Sequence, residues 1–107
     1  MANLQLLIED RGKTFKIQVG GEIELKLAEN PSTGYQWTIL SDPYPQLDLI
    51  TEDFTADFST GFGAEGYKTI RYLARSSGEI TLSYAYIRPW EKEVPPADQY
   101  YITIIIQ

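Results

Sequence analysis

Glu79-Ile80-Thr81-Leu82-Ser83-Tyr84-Ala85-Tyr86-Ile87, leading directly into Arg88-Pro89-Trp90, is the stretch that decides the fold. Ile80, Leu82, Tyr84 and Tyr86 alternate with Thr81, Ser83 and Ala85. A period of two sends one set of side chains into a core and the other toward solvent, which is the pattern of a β-strand. The same period recurs in Phe15, Ile17 and Val19, and again in Ile23, Leu25 and Leu27. No window of ten or more residues carries a helical stripe. The nearest candidate, around Gln46 to Ile50, is short and follows Pro43 and Pro45.

Working outward, the pattern predicts strands near 3–8, 13–19, 22–28, 35–41, 47–54, 67–75, 79–87 and 99–106. Turn signals separate them: Asp10-Arg11-Gly12, Gly20-Gly21, Asn30-Pro31, Asp42-Pro43, Gly61 to Gly66, Ser76-Ser77-Gly78 and Pro95-Pro96. About eight short strands in one small domain imply an all-β, immunoglobulin-like antiparallel sandwich, with a small closed barrel as the alternative. Tyr100 to Ile106 is apolar on both faces, so it belongs inside a sheet and not at an exposed edge. With no internal repeat or linker, residues 1–107 form a single domain.

Composition removes whole classes of chemistry. The chain has no Cys and no His, which excludes disulfides, thiolate catalysis, and the commonest zinc ligand and acid–base residue. Asp and Glu outnumber Lys and Arg by 15 to 9, for a net charge of −6. That balance argues against nucleic acid and anionic membrane as partners, since both need a basic face. No segment has the length of a membrane span. The start of the chain lacks the basic region and small-residue cleavage site of a signal peptide. The expected location is therefore cytoplasmic if the chain is complete as given, and exported if a signal peptide has been removed ahead of Met1.

Three loops remain as candidates for function. Asn30-Pro31-Ser32-Thr33-Gly34-Tyr35-Gln36-Trp37 opens with a fixed φ at Pro31 and contains Gly34, which reaches conformations closed to other residues. Asn30 can bond backbone amides a few residues on, which would leave Ser32 and Thr33 at a rigid polar tip. The plainer reading is an ordinary tight connection between strands. Tyr35 and Trp37, two apart, should share a face, and Trp37 is expected in the core. Trp90 follows Arg88-Pro89 and precedes Glu91-Lys92-Glu93, a charged stretch unsuited to a buried strand, so it is expected to be an exposed contact residue. Between these loops lies Gly61-Phe62-Gly63-Ala64-Glu65-Gly66, where the backbone can approach a partner closely. This tip lacks the helix, Lys and Ser/Thr of a phosphate loop, and its plainer reading is a flexible hairpin end.

Other candidates are weaker. Glu52, Asp53 and Asp57 lack the spacing and turn glycine of a calcium loop and read as a solvated acidic face, so neither a metal nor a cofactor is expected. Ser32, Ser59 and Ser83 have no histidine partner, which makes a serine nucleophile a poor reading.

In order and spacing, the three loops resemble the chagasin family, protein inhibitors of papain-like cysteine peptidases. The family pattern is Asn-Pro-Thr-Thr-Gly-Tyr-x-Trp, then Gly-x-Gly-Gly, then Arg-Pro-Trp. This chain carries the first at Asn30 to Trp37 with Ser32 in place of a Thr. It carries the second at Gly61 to Ala64 with Ala64 in place of a Gly, and the third intact at Arg88, Pro89 and Trp90. Strand spacing and chain length agree as well, so the resemblance spans nearly the whole sequence.

The resemblance implies a non-enzymatic chain, monomeric when free, that wedges three loops into the cleft of a papain-like cysteine peptidase. Ser32, Thr33 and Gly34 would approach the catalytic cysteine, with Asn30 and Pro31 shaping the loop and Tyr35 beside them. Gly61, Phe62, Gly63 and Ala64 would cover the non-primed side, and Arg88, Pro89 and Trp90 the primed side. Ser32 keeps the hydroxyl but loses a methyl group, and Ala64 adds a Cβ where a positive φ would resist it. A carbohydrate-binding or adhesion module is the competing reading, because eight tyrosines and two tryptophans on a sandwich suit stacking against sugar rings. A glycosidase using Asp53 and Asp57 comes third.

Overall fold

The computed structural model describes residues 3–40, 44–56 and 65–107. The eight expected strands are all present: β1 (Asn3–Leu6), β2 (Thr14–Ile17), β3 (Glu22–Glu29), β4 (Gln36–Ile39), β5 (Leu47–Ala56), β6 (Gly66–Ala74), β7 (Gly78–Ile87) and β8 (Asp98–Ile106). They form two four-stranded sheets, ordered β1-β3-β6-β5 and β2-β8-β7-β4, and so a sandwich.

Most neighbours are antiparallel, but β1 pairs with β3, and β2 with β8, in parallel. The chain passes from one sheet to the other between β1 and β2 and returns for β3. That excursion is the long connection a parallel pair requires. β1 is shorter than the sequence pattern suggests because Ile8–Asp10 turns into a 3-10 helix. There the Asp10 carboxylate accepts the Leu7 N–H at 2.8 Å and bends the chain away from the ladder.

The core lies between the sheets. Leu6, Ile23, Leu25, Leu27, Ile70 and Tyr72 face it from one side, and Trp37, Ile80, Leu82, Tyr84, Tyr100, Ile102 and Ile104 from the other. Each fully buried aliphatic side chain contributes about 1.5–3 kcal/mol of transfer free energy. β8 is hydrogen-bonded on both edges, to β2 and to β7, as its two apolar faces predict. Tyr100 Oη is the one fully buried side-chain polar atom without a partner among the described residues.

Registers place the candidate loops at one end. Glu29 and Ala56 both pair with Gly66, and Gln36 pairs with Ile87. The segments after β3, between β5 and β6, and after β7 therefore leave the sandwich at the same rim.

Candidate functional site: a braced loop end

The first loop is held from within. Pro31–Thr33 makes one 3-10 turn, with Asn30 as its N-cap. Asn30 Oδ1 accepts the Ser32 N–H at 3.0 Å and the Ser32 hydroxyl at 2.6 Å. The Thr33 hydroxyl donates to the Asn30 carbonyl at 2.8 Å and accepts the Tyr35 N–H at 3.3 Å. Gly34 then closes the turn at φ +82°, in the left-handed region. Pro31, Ser32 and Thr33 remain exposed, so the tip is small, polar and fixed.

Arg88 ties the third loop to the first. Its Nε donates to the Thr33 carbonyl at 2.9 Å, and its guanidinium lies 4.3 Å from the Tyr35 ring centroid. Glu91 pairs with the same guanidinium at 3.4 Å. Below it, Tyr35 stacks on Tyr86 with ring centroids 5.2 Å apart, and Trp37 lies 4.9 Å from Tyr86 on centroids. A column of Arg88, Tyr35, Tyr86 and Trp37 thus runs from the tip into the core. Tyr86 Oη also accepts the Asn30 N–H at 3.2 Å, anchoring the start of the loop.

Trp37 and Trp90 divide as the sequence suggests. Trp37 is 4% exposed and Trp90 is 67% exposed. Trp37 Nε1 donates to the Ala28 carbonyl at 2.9 Å, its backbone N–H to Glu29 Oε2 at 3.2 Å, and its carbonyl accepts Lys68 Nζ at 3.0 Å. These two side chains cap backbone groups of β4, an edge strand, so it offers no clean ladder to another chain. The tip of the Trp90 ring lies against Gly34, where a side chain would overlap Trp90 Cη2.

Gly61, Phe62, Gly63 and Ala64 lie outside the described residues, as do Asp57 and Ser59. The stem of that middle segment is defined. Gly66 sits so close to the Thr55 carbonyl and the Phe54 ring that a Cβ there would overlap the carbonyl oxygen. Of the acidic candidates, Glu52 is ion-paired with Lys68 at 2.6 Å, which gives it a structural partner.

Sequence reasoning missed two contributors. Tyr86 alternates as a core residue, yet it also ties the first loop to the sandwich through the Asn30 N–H and the Tyr35 ring. Glu29, buried at 8% exposure, closes the neck of the first loop through Trp37. The signal was present: Glu29 continues the inward register of Ile23, Leu25 and Leu27, a position where a carboxylate needs a reason.

The sandwich with loops braced at one rim defines a rigid binding module of the immunoglobulin-like type, and comparison with known proteins specifies the class. Residues 16–104 match the family model described as "Chagasin family peptidase inhibitor I42", and the chain belongs to that family. It is 30% identical over 97 residues to amoebiasin-2 of Entamoeba histolytica, covering 88% of this chain and 77% of that protein. It is 25% identical over 83 residues to chagasin of Trypanosoma cruzi, covering 74% and 76% of the two chains. The crystal structure of the Entamoeba histolytica cysteine protease inhibitor EhICP2 superposes with a TM-score of 0.92 at 27% identity, covering 98% of this chain and 96% of the other.

Proposed function

We propose that this chain is a reversible, tight-binding inhibitor of papain-like cysteine peptidases that fills the active-site cleft with three loops. Family membership supports the activity, and the inhibitor belongs to a class that is not enzymatic. The observation that carries the mechanism is the cross-brace of Arg88 on Thr33 and Tyr35. Ordering a mobile side chain on binding costs about 0.5–1.5 kcal/mol each, and here the tip residues are ordered beforehand.

In this reading Ser32, Thr33 and Gly34 sit over the catalytic cysteine. Both hydroxyls are turned back onto Asn30, so they shape the tip instead of offering free donors. The 3-10 turn is not an extended substrate strand, which keeps its carbonyls out of attack geometry. Trp90 supplies the apolar contact on the primed side, Arg88 and Pro89 hold it there, and Gly61 to Ala64 cover the non-primed side. The carbohydrate-module alternative requires ring faces on a flat sheet, whereas the most exposed aromatic described, Trp90, sits on a loop.

Alkylation of papain by iodoacetamide tests the reading. Bound inhibitor should protect the catalytic cysteine, and activity should return on dissociation with the inhibitor uncut. Alkylation at an unchanged rate in a formed complex would contradict occlusion.

A further inference from the structure

A cavity of about 390 Å³ opens between the first loop and the stem of the β5–β6 segment. Ala28, Glu29, Asn30, Glu65, Gly66, Tyr67 and Tyr86 line it. Its chemistry is unusual for a chain whose other charges are mostly paired or solvated. Glu29 is nine-tenths buried, and the one hydrogen bond it accepts among the described residues, from the Trp37 N–H, reaches Oε2. No Lys or Arg lies within ion-pair distance of it among the described residues, and the remaining residues contain neither type.

No donor reaches the second carboxylate oxygen, Oε1, among the described residues. It is absent from the fully buried unsatisfied atoms, a set that holds only Tyr100 Oη among the described residues, so it still reaches solvent. Glu29 lines the cavity, and that is the route by which a ligand would reach it. A carboxylate this buried is costly unless a cation or several donors satisfy it. The cavity adds a second carboxylate, Glu65, while the faces of its two phenol rings are already taken, Tyr67 by the Lys26 ammonium 4.6 Å from its centroid and Tyr86 by Tyr35 and Trp37.

We infer that this cavity is a subsite for one cationic side chain, a lysine or arginine, on the cleft rim of the target peptidase. The inference rests on the inhibitor reading and adds a determinant of which peptidases bind well. Position supports it, since Asn30 caps the first loop and Glu65-Gly66 ends the middle segment, so the cavity lies between two of the three elements facing the enzyme. A guanidinium entering there would donate to Glu29 Oε1, with Glu65 at the mouth. Peptidases with a neutral or acidic residue at that place would leave Glu29 unpaired in a desolvated interface and would bind less tightly.

The test uses two variants of the full chain and two readouts. Glu29→Gln keeps an acceptor for the Trp37 N–H, and Glu65→Gln alters only an exposed side chain. Inhibition constants are measured against a panel of papain-like peptidases at low and high salt, with melting temperature as the control for folding. Methylguanidinium chloride is titrated separately into the free chain, with the amide resonances of Glu29, Glu65, Gly66 and Tyr86 followed by NMR.

We expect saturable shifts at those amides that vanish in Glu29→Gln. We also expect inhibition of the peptidases bound most tightly to weaken about fivefold in Glu65→Gln and at least about tenfold in Glu29→Gln. Both penalties should shrink at high salt. Unchanged inhibition by both variants against every peptidase that the wild type inhibits would overturn the subsite and leave the inhibitor reading intact. Shifts identical in wild type and Glu29→Gln would also overturn it. If the wild type inhibits nothing, the functional reading fails, and the methylguanidinium titration alone decides whether the cavity takes a cation.

Discussion

The Trp90 ring occupies the space that a side chain on residue 34 would fill. A Cβ on Gly34 would overlap Trp90 Cη2 and lie 3.0 Å from both Cζ2 and Cζ3, and Gly34 also holds φ +82°. The third loop is thus seated on the first, and the seat exists only because residue 34 has no side chain. Gly34→Ala should therefore displace Trp90 as well as strain the turn, at a cost to stability of about 1 kcal/mol or somewhat more. Inhibition should weaken by more than about tenfold, the equivalent of about 1.4 kcal/mol. Inhibition constants and tryptophan emission before and after the change check both effects; a red shift without loss of inhibition would separate the seat from the function.

Arg88 works through shape as much as charge. Its Nε bonds the Thr33 carbonyl while its plane covers Tyr35. A lysine keeps the charge but cannot hold both contacts in one rigid fork. Arg88→Lys should therefore weaken inhibition nearly as much as Arg88→Ala, with melting temperature little changed in either, because the core is untouched. Full activity in Arg88→Lys would show that charge alone matters.

The two tryptophans should respond in opposite ways. Trp37→Ala removes a core side chain that also bonds the Ala28 carbonyl, and should cost about 3–5 kcal/mol of stability. Trp90→Ala should leave the fold stable and cost at least about 2 kcal/mol of binding, or roughly thirtyfold in affinity. Melting curves and inhibition constants for both variants test the division; equal stability loss in the two would refute it.

Two phenols make the fold sensitive to alkali. Burial pushes the Tyr84 hydroxyl far up, helped by its hydrogen bond with Tyr72, and burial likewise raises Tyr100. The sign follows from linkage. A tyrosine whose folded pKa lies above its unfolded value of about 10 contributes stability below pH 10 that is lost as pH rises beyond it. Stability should fall between about pH 10 and 12. Tyr100→Phe should flatten that fall and also raise stability at neutral pH by about 1 kcal/mol, since its hydroxyl has no partner. Denaturant unfolding across that pH range gives the answer; a steeper fall in Tyr100→Phe would contradict it.

Much of this was legible in the residues. Alternation located all eight strands, because a half-buried strand must repeat every two residues, and the doubly apolar Tyr100 to Ile106 marked an interior strand. Strand direction was less legible: nothing local distinguishes the parallel edges β1 and β2 from antiparallel ones, since direction follows from how the chain crosses the sandwich. At the site, Asn30, Pro31 and Gly34 announced a rigid turn because their roles are local. The Arg88–Thr33 brace and the Trp90–Gly34 seat join residues more than fifty positions apart, so spacing could not reveal them. Glu29 stood in the inward register all along, but only the fold shows what its carboxylate closes.

If the braced loop end blocks a papain-like peptidase, titration of the enzyme will show it. Purified chain is added to papain and to a cathepsin L-like enzyme while hydrolysis of a fluorogenic peptide is followed. Stoichiometric, reversible inhibition at nanomolar concentration is expected, weakened at least about thirtyfold in Trp90→Ala. Absence of inhibition of both enzymes at micromolar concentration would contradict it.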